Sequence, residues 1–127
     1  MRVVYITSSH IPSIYANGIQ TMRMCEAIAG LGHEITLFVP TNEKGEIQIK
    51  DVDTFSFYGV EKAFKIKVTP FRRKSFHALI SSIYAKFKNV DLCYTRCAYA
   101  AYFASKLGVP TIFEAHKPLY SKLAARF

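Results

Sequence analysis

Short apolar runs alternate with helical hydrophobic patterns along most of this chain, and the alternation predicts its elements. Continuous apolar or alternating runs predict five strands, at residues 3–6, 34–39, 64–68, 91–95 and 111–114. Apolar positions at helical spacing predict helices over residues 19–29, 75–88 and 98–107. A short extra strand at residues 54–58, a turn at residues 44–45 and a last helix over residues 118–127 complete the prediction. We therefore predict an α/β fold, a single Rossmann-like doubly wound parallel sheet in one domain spanning residues 1–127.

The helix predicted over residues 75–88 carries the clearest apolar stripe. Its members are Phe76, Leu79, Ile80, Ile83 and Phe87. Because a doubly wound sheet needs helices that cover it, we predict that this stripe packs on the sheet. Tyr84 and part of the Phe76 face are predicted to stay exposed beside the cations of this segment.

The composition fits a globular chain. It has 127 residues, of which 50% are hydrophobic and 20% charged, and this excludes an intrinsically disordered protein. No apolar run approaches the roughly 20 residues of a membrane-spanning helix, and the N-terminal run is too short for a secretory signal. The three cysteines are an odd number without a disulfide framework, which predicts reduced thiols in a cytoplasmic protein.

The positive charge is concentrated in one segment. The chain carries +8, and residues 61–88 hold eight cations against one acidic residue, a net +7. The cations are Lys62, Lys65, Lys67, Arg72, Arg73, Lys74, Lys86 and Lys88. Local basicity predicts an anionic partner. We hypothesise that residues 62–88 bind an anionic membrane surface, and that the protein lies at the inner face of that membrane. Nucleic acid is not predicted as a partner, because the segment lacks the signature of a nucleic-acid-binding fold.

Candidate site residues follow the predicted strands. In doubly wound sheets, ligands bind beyond the carboxyl ends of the strands, where the strand order reverses. Residues 8–10 follow the first strand and Arg96 follows the fourth. Glu114 ends the fifth strand, and His116 comes two residues later. His116 is placed to hydrogen-bond a substrate hydroxyl. Arg96 could bind an anionic group of a ligand or form a surface salt bridge. Glu114 could contact the substrate or only orient a neighbouring side chain.

Several other chemistries are excluded by what the motifs lack. Cys93 and Cys97 have no second ligand pair, so a zinc site is not predicted. His33 lies at a helix-to-strand junction and is interpreted as a structural residue. A dinucleotide dehydrogenase needs Gly-x-Gly-x-x-Gly directly after the first strand, whereas Gly18 is alone and comes late. A phosphoacceptor receiver needs acidic residues there, and residues 8–10 have none.

The combined motifs resemble the N-terminal part of glycosyltransferase family 4, the group-1 retaining glycosyltransferases of GT-B fold. Residues 17–20 (NGIQ), a helix and residues 30–37 (GLGHEITL) are similar to the start of that family. Residues 91–96 (DLCYTR) and 108–116 (GVPTIFEAH) are similar to its fourth and fifth strands, and Glu-x-His to its acceptor-site motif. The family often has two glycines in the first loop, and Asn17 replaces the first, a residue that also tolerates left-handed φ.

The resemblance implies the acceptor-binding domain of a retaining glycosyltransferase. Such an enzyme transfers a sugar from a nucleotide-sugar donor to a glycan, lipid-linked or small-molecule acceptor. It implies His116 as a catalytic residue, and Asn17, Gly18, Arg96 and Glu114 as substrate-binding residues. No metal or cofactor is implied, since the nucleotide sugar is a co-substrate.

The nucleotide-sugar-binding domain of that family has no counterpart in residues 1–127, so this chain alone is expected to be inactive. The alternative from a different class is a non-catalytic α/β domain that binds a ligand or a protein.

Overall fold

The computed structural model describes residues 1–9, 11, 16–41 and 54–114. Their elements are β1 (Arg2–Ile6), α1 (Ala16–Gly30), β2 (Glu34–Pro40), α2 (Thr54–Tyr58), β3 (Lys65–Thr69), α3 (Lys74–Phe87), β4 (Leu92–Thr95), α4 (Ala98–Lys106) and β5 (Thr111–Phe113). The turn predicted at residues 44–45 and the helix predicted over residues 118–127 lie outside the described residues.

The five strands form one parallel sheet in the order β3-β2-β1-β4-β5. β1 lies at the centre, with Val3 opposite Ile35 of β2 on one side and Leu92 of β4 on the other. β2 and β3 follow on one side of β1, and β4 and β5 then follow on the other side. The strand order therefore reverses between β1 and β4. The predicted α/β fold with a Rossmann-like doubly wound parallel sheet is confirmed.

Alternate side chains of β1 enter two separate cores. Val3 and Tyr5 pack with α1, α2 and β2 on one face of the sheet. Val4 and Ile6 pack with α3 and α4 on the other face. A strand buried on both faces reads as a continuous apolar run, and this is why residues 3–6 predict the centre of the sheet.

The helices α1 and α4 are each followed by a glycine turn. α1 begins at Ala16, three residues earlier than predicted, and ends at Gly30. Gly32 after α1 and Gly108 after α4 have φ of +92° and +82°, which favours glycine in these turns. α1 has 15 residues, and no helix within the described ranges is long and apolar enough to cross a membrane.

Residues 54–58 form the helix α2, so the predicted extra strand is wrong. Phe55 and Tyr58 are three positions apart and both lie in the core beneath α1, whereas Phe57 is 40% exposed. Residues three apart share one face of a helix, and this spacing lets two aromatic rings reach the same core. The aromatic composition that favours a strand is therefore overridden by packing.

The third predicted strand is confirmed as β3, and it lies at the border of the sheet. It pairs with β2 at the edge of the sheet, and Lys65, Lys67 and Val68 are exposed. An edge strand buries little of its surface, and lysines on it discourage pairing with another chain.

The face of α3 that packs on the fold is the opposite of the predicted one. The buried positions carry small or polar side chains: His77, Ala78, Ser81, Ser82 and Ala85. Ile80 and Phe87 of the predicted stripe are exposed instead, and Phe76 is 48% exposed, in agreement with the predicted exposure of part of its face. The reason is the close approach of α4, which presents its own small residues to the same core. Tyr84, predicted to be exposed, is half-buried against Phe38.

Candidate functional site

The carboxyl edge of the sheet collects polar residues that follow three strands. Thr7 and Ser9 follow β1, Arg96 follows β4, and Glu114 follows β5. Thr7 is buried, and its hydroxyl oxygen accepts a hydrogen bond of 3.1 Å from the Ser9 backbone N–H, which turns the chain beyond β1. Because all strands are parallel, these residues reach the same edge, beside the reversal of strand order.

Arg96 and Glu114 form an ion pair at this edge. The Arg96 Nε atom lies 3.7 Å from Glu114 Oε1, and the two side chains are 13% and 35% exposed. The Glu114 backbone N–H donates to the Thr95 carbonyl at 2.9 Å, which continues the β4–β5 pairing by one step. Arg96 Nη1 donates to Gln20 Oε1 at 3.1 Å. The guanidinium therefore connects the first turns of α1 with the ends of β4 and β5.

Tyr94 holds the Glu114 carboxylate, and Tyr5 packs against Tyr94. The Tyr94 hydroxyl donates to Glu114 Oε2, and the Tyr94 ring packs on Tyr5 with 5.0 Å between ring centroids. Burial, and then the neighbouring Glu114 carboxylate, raise the pKa of Tyr94 to about 12. Burial also raises the pKa of Tyr5, opposed by a hydrogen bond with Thr21. Both phenols stay protonated near neutral pH, so Tyr94 holds Glu114 as a hydrogen-bond donor.

The structure brings together part of the predicted site. Arg96 and Glu114 are in contact, and Gly18 is buried near the start of α1, two residues before Gln20, which hydrogen-bonds Arg96. Asn17 precedes Gly18 in that turn, but its side chain is not among the described atoms. The predicted catalytic residue His116, and His10 among the candidates after the first strand, lie outside the described residues. The structure thus brings Arg96 and Glu114 together, with Gly18 near the start of the adjacent helix. The roles of Asn17, His10 and His116 stay predictions.

The sequence interpretation missed three residues at this edge. Gln20 and Tyr94 orient the ion pair, although nothing in their local sequence marks them as polar partners. His77 is fully buried on α3, where its ring nitrogens lie 2.7 Å from the Thr7 carbonyl oxygen and 2.7 Å from Thr69 Oγ1. The available signal was a histidine on a helical face of alanine and serine, a position that requires hydrogen-bond partners.

The cluster is suited to binding a ligand with hydroxyl groups. The Arg96 guanidinium is mostly buried and held in place by its contacts, and the Glu114 side chain beside it is partly exposed to solvent. A guanidinium donates hydrogen bonds and a carboxylate accepts them, so the pair can recognise a hydroxyl through both of its functions. The structure shows the ion pair for Arg96 and an orienting contact for Glu114. Contact of either residue with a ligand stays a prediction.

Features outside this edge have other roles. Cys93 and Cys97 are free and buried in the core beneath α3 and α4. Within the described ranges, no group of three or more His, Cys, Asp or Glu side chains is placed to hold a metal ion. His33 lies at the opposite, amino edge, where its Nδ1 is 3.0 Å from the N-terminal amine. A cavity of about 200 Å³ opens at that edge, lined by the cations Arg2, Lys65 and Lys88 among others.

No family model and no curated protein sequence matches this chain. What the site binds is therefore inferred from its own geometry and from the motifs in the sequence.

Proposed function

We propose that this chain is the acceptor-binding domain of a retaining glycosyltransferase that uses a nucleotide-sugar donor. The observation that carries the proposal is the Arg96–Glu114 pair at 3.7 Å, beside the reversal of strand order. Ligands of doubly wound folds bind at this position of the sheet. The assignment to a glycosyltransferase rests on the motifs after β1, β4 and β5, which resemble those of glycosyltransferase family 4. The competing function is a non-catalytic α/β domain that binds a ligand or a protein.

In this proposal the carboxyl edge holds an acceptor hydroxyl. Glu114 accepts a hydrogen bond from the acceptor, while Arg96 fixes the carboxylate and donates to a second oxygen. His116 acts as the catalytic residue, and the turn of Asn17 and Gly18 approaches the donor phosphates. Transfer depends on holding the hydroxyl against the anomeric carbon and on stabilising the leaving diphosphate. The proposed reaction uses no metal or cofactor.

The proposal places the protein in the cytoplasm, where nucleotide sugars would be its co-substrates. Its support is the state of the thiols, since Cys25, Cys93 and Cys97 are all free and buried. Free thiols are the ordinary state of cysteine in a reducing compartment.

Ligand-observed NMR on the 127-residue chain tests the proposal, using a panel of mono- and oligosaccharides and nucleotide sugars. We expect saturation transfer from the protein to one class of carbohydrate. Arg96→Ala and Glu114→Gln are each expected to weaken that binding about tenfold or more, because each removes a charge-assisted hydrogen bond.

Arg2→Ala and Glu34→Gln are matched controls, because Arg2 and Glu34 form an ion pair of the same 3.7 Å length at the opposite edge. Both control variants should bind like the wild type. Absence of binding to every carbohydrate, or equal loss in the control pair, contradicts the proposal. Turnover by this chain alone at about 1 s⁻¹ or faster contradicts its assignment as only the acceptor-binding part.

A further inference from the structure

The exposed side of α3 is an apolar stripe that runs the length of the helix. Phe76, Ile80 and Phe87 are 48%, 40% and 80% exposed, and Ile83 lies between them half-buried. These positions are spaced at four, three and four residues, so they project from one side of the helix. The buried residues of α3 project from the other side. The stripe therefore points away from the sheet.

Cations lie at both ends of this stripe. Arg72, Arg73 and Lys74 precede the first apolar residue, and Lys86 and Lys88 flank the last. Arg73 lies over the ring of Phe76, with 5.8 Å from its Cζ atom to the ring centroid. The side chains of all five cations are in exposed residues. Exposed cations and exposed apolar residues therefore lie next to each other at both ends of α3.

From this arrangement we infer that α3 docks the protein on an anionic lipid bilayer, lying in the plane of the interface. A helix with bulky apolar residues on one side and lysine or arginine around them binds membranes in this way. The stripe enters the boundary between headgroups and acyl chains, and the flanking cations contact lipid phosphates. The inference goes beyond the proposed function and does not depend on it.

The alternatives fit this surface less well. Nucleic acid would satisfy the cations but would leave the aliphatic side chain of Ile80 and most of the apolar stripe in contact with polar phosphates. A second copy of the chain would satisfy the stripe but would bring two sets of cations together, which is unfavourable. A bilayer with anionic headgroups satisfies both kinds of group at once, and this charge complementarity selects it as the occupant.

Tryptophan fluorescence can report directly on the stripe, because the chain contains no tryptophan. Phe87→Trp and Phe76→Trp place the probe at the two ends of the stripe. Leu31→Trp is the matched control, since Leu31 is 77% exposed in the turn after α1 on the other side of the sheet. Each variant is titrated with vesicles of phosphatidylcholine alone or with phosphatidylglycerol added, at low and high salt.

We expect a blue shift for Phe87→Trp and Phe76→Trp with the anionic vesicles at low salt, and none for Leu31→Trp. Arg73→Glu in the Phe87→Trp background should weaken partitioning about tenfold, whereas Arg23→Glu on α1 should leave it unchanged. Arg73 is the residue before α3, where an acidic side chain is favourable, so the helix is expected to remain folded.

Three results would overturn the inference. The first is a blue-shifted emission from Phe87→Trp before vesicles are added, because another part of the chain or a second copy then covers the stripe. The second is binding to anionic vesicles without any shift at either stripe position. The third is a shift on adding duplex oligonucleotide but none on adding vesicles.

Discussion

The Nε2 atom of His77 on α3 lies 2.7 Å from the carbonyl oxygen of Thr7, the residue that follows β1. Because a carbonyl oxygen only accepts, Nε2 is the donor in this bond. In the neutral ring Nδ1 is then an acceptor, and it receives the hydrogen bond from Thr69 Oγ1 at 2.7 Å. One buried imidazole therefore connects α3 with the carboxyl ends of β1 and β3, next to the candidate site.

Replacing His77 should destabilise the fold strongly. His77→Ala leaves the Thr7 carbonyl and the Thr69 hydroxyl without this partner and opens a cavity, so we expect a loss of about 3 kcal/mol in the free energy of unfolding. Urea denaturation followed by circular dichroism measures it. Ser82→Ala is the control on the same buried face, because the Ser82 hydroxyl has no hydrogen-bond partner among the described residues. It should unfold within about 1 kcal/mol of the wild type, and an equal loss in both variants would contradict this role of His77.

The buried thiols should react slowly in the native state. Burial raises the pKa of both Cys25 and Cys93 to about 12. At about pH 8, such thiols hold roughly a thousandfold less reactive thiolate than an ordinary cysteine. Titration with a coloured disulfide reagent should show Cys97, which is 6% exposed, reacting first in the folded protein, and all three thiols reacting at once in denaturant. Rapid reaction of two or more thiols without denaturant would contradict the buried core.

The strands could be predicted because their cause is local. Val3 to Ile6 form an unbroken apolar run, and in the sheet this run is the central strand with side chains in both cores. Burial on two faces is recorded in the sequence of the strand itself. The same holds for Gly32 and Gly108, whose positive φ marks the ends of helices that the sequence also predicts.

The contacts of the site could not be predicted, because their cause is not local. Tyr94 meets Glu114 only because Thr95 of β4 lies opposite Phe113 of β5. The sequence places polar residues after these strands but does not give the register that pairs them. The helix α3 was predicted correctly, but its packing face was not. Its apolar stripe is visible in the sequence, whereas the close approach of α4, which requires small residues on α3, is not.

The titration of Tyr94 should depend on Glu114. Burial and the Glu114 carboxylate raise the pKa of Tyr94 to about 12, above the value of about 10 in an unfolded chain. The folded state keeps this proton longer, so the stability from this group is complete below about pH 10 and is lost as pH rises toward 12. Ultraviolet difference titration against Tyr94→Phe isolates the group. Glu114→Gln should lower the pKa, Glu34→Gln should not, and an unchanged pKa in Glu114→Gln would exclude the carboxylate as a cause.

The side of α3 with small residues carries its packing. Ala78 is fully buried, whereas Ile80 is 40% exposed on the stripe. Ala78→Leu adds three carbon atoms to a filled interface with α4 and should lower the free energy of unfolding by about 1 to 3 kcal/mol. Ile80→Ala removes a side chain that packs little and should change it by no more than about 0.5 kcal/mol.

The sequence pattern alone predicts the opposite order, with Ile80→Ala as the more destabilising change. An isoleucine in the core loses about 2 to 5 kcal/mol in the free energy of unfolding when it is truncated to alanine. Thermal and urea unfolding of the two variants, measured side by side, therefore decides between the two faces. If Ile80→Ala is the more damaging change, the stripe packs inside the protein and cannot be the surface that meets a membrane. If Ala78→Leu is the more damaging change, the large apolar residues of α3 are not needed for folding, which leaves them available for a partner.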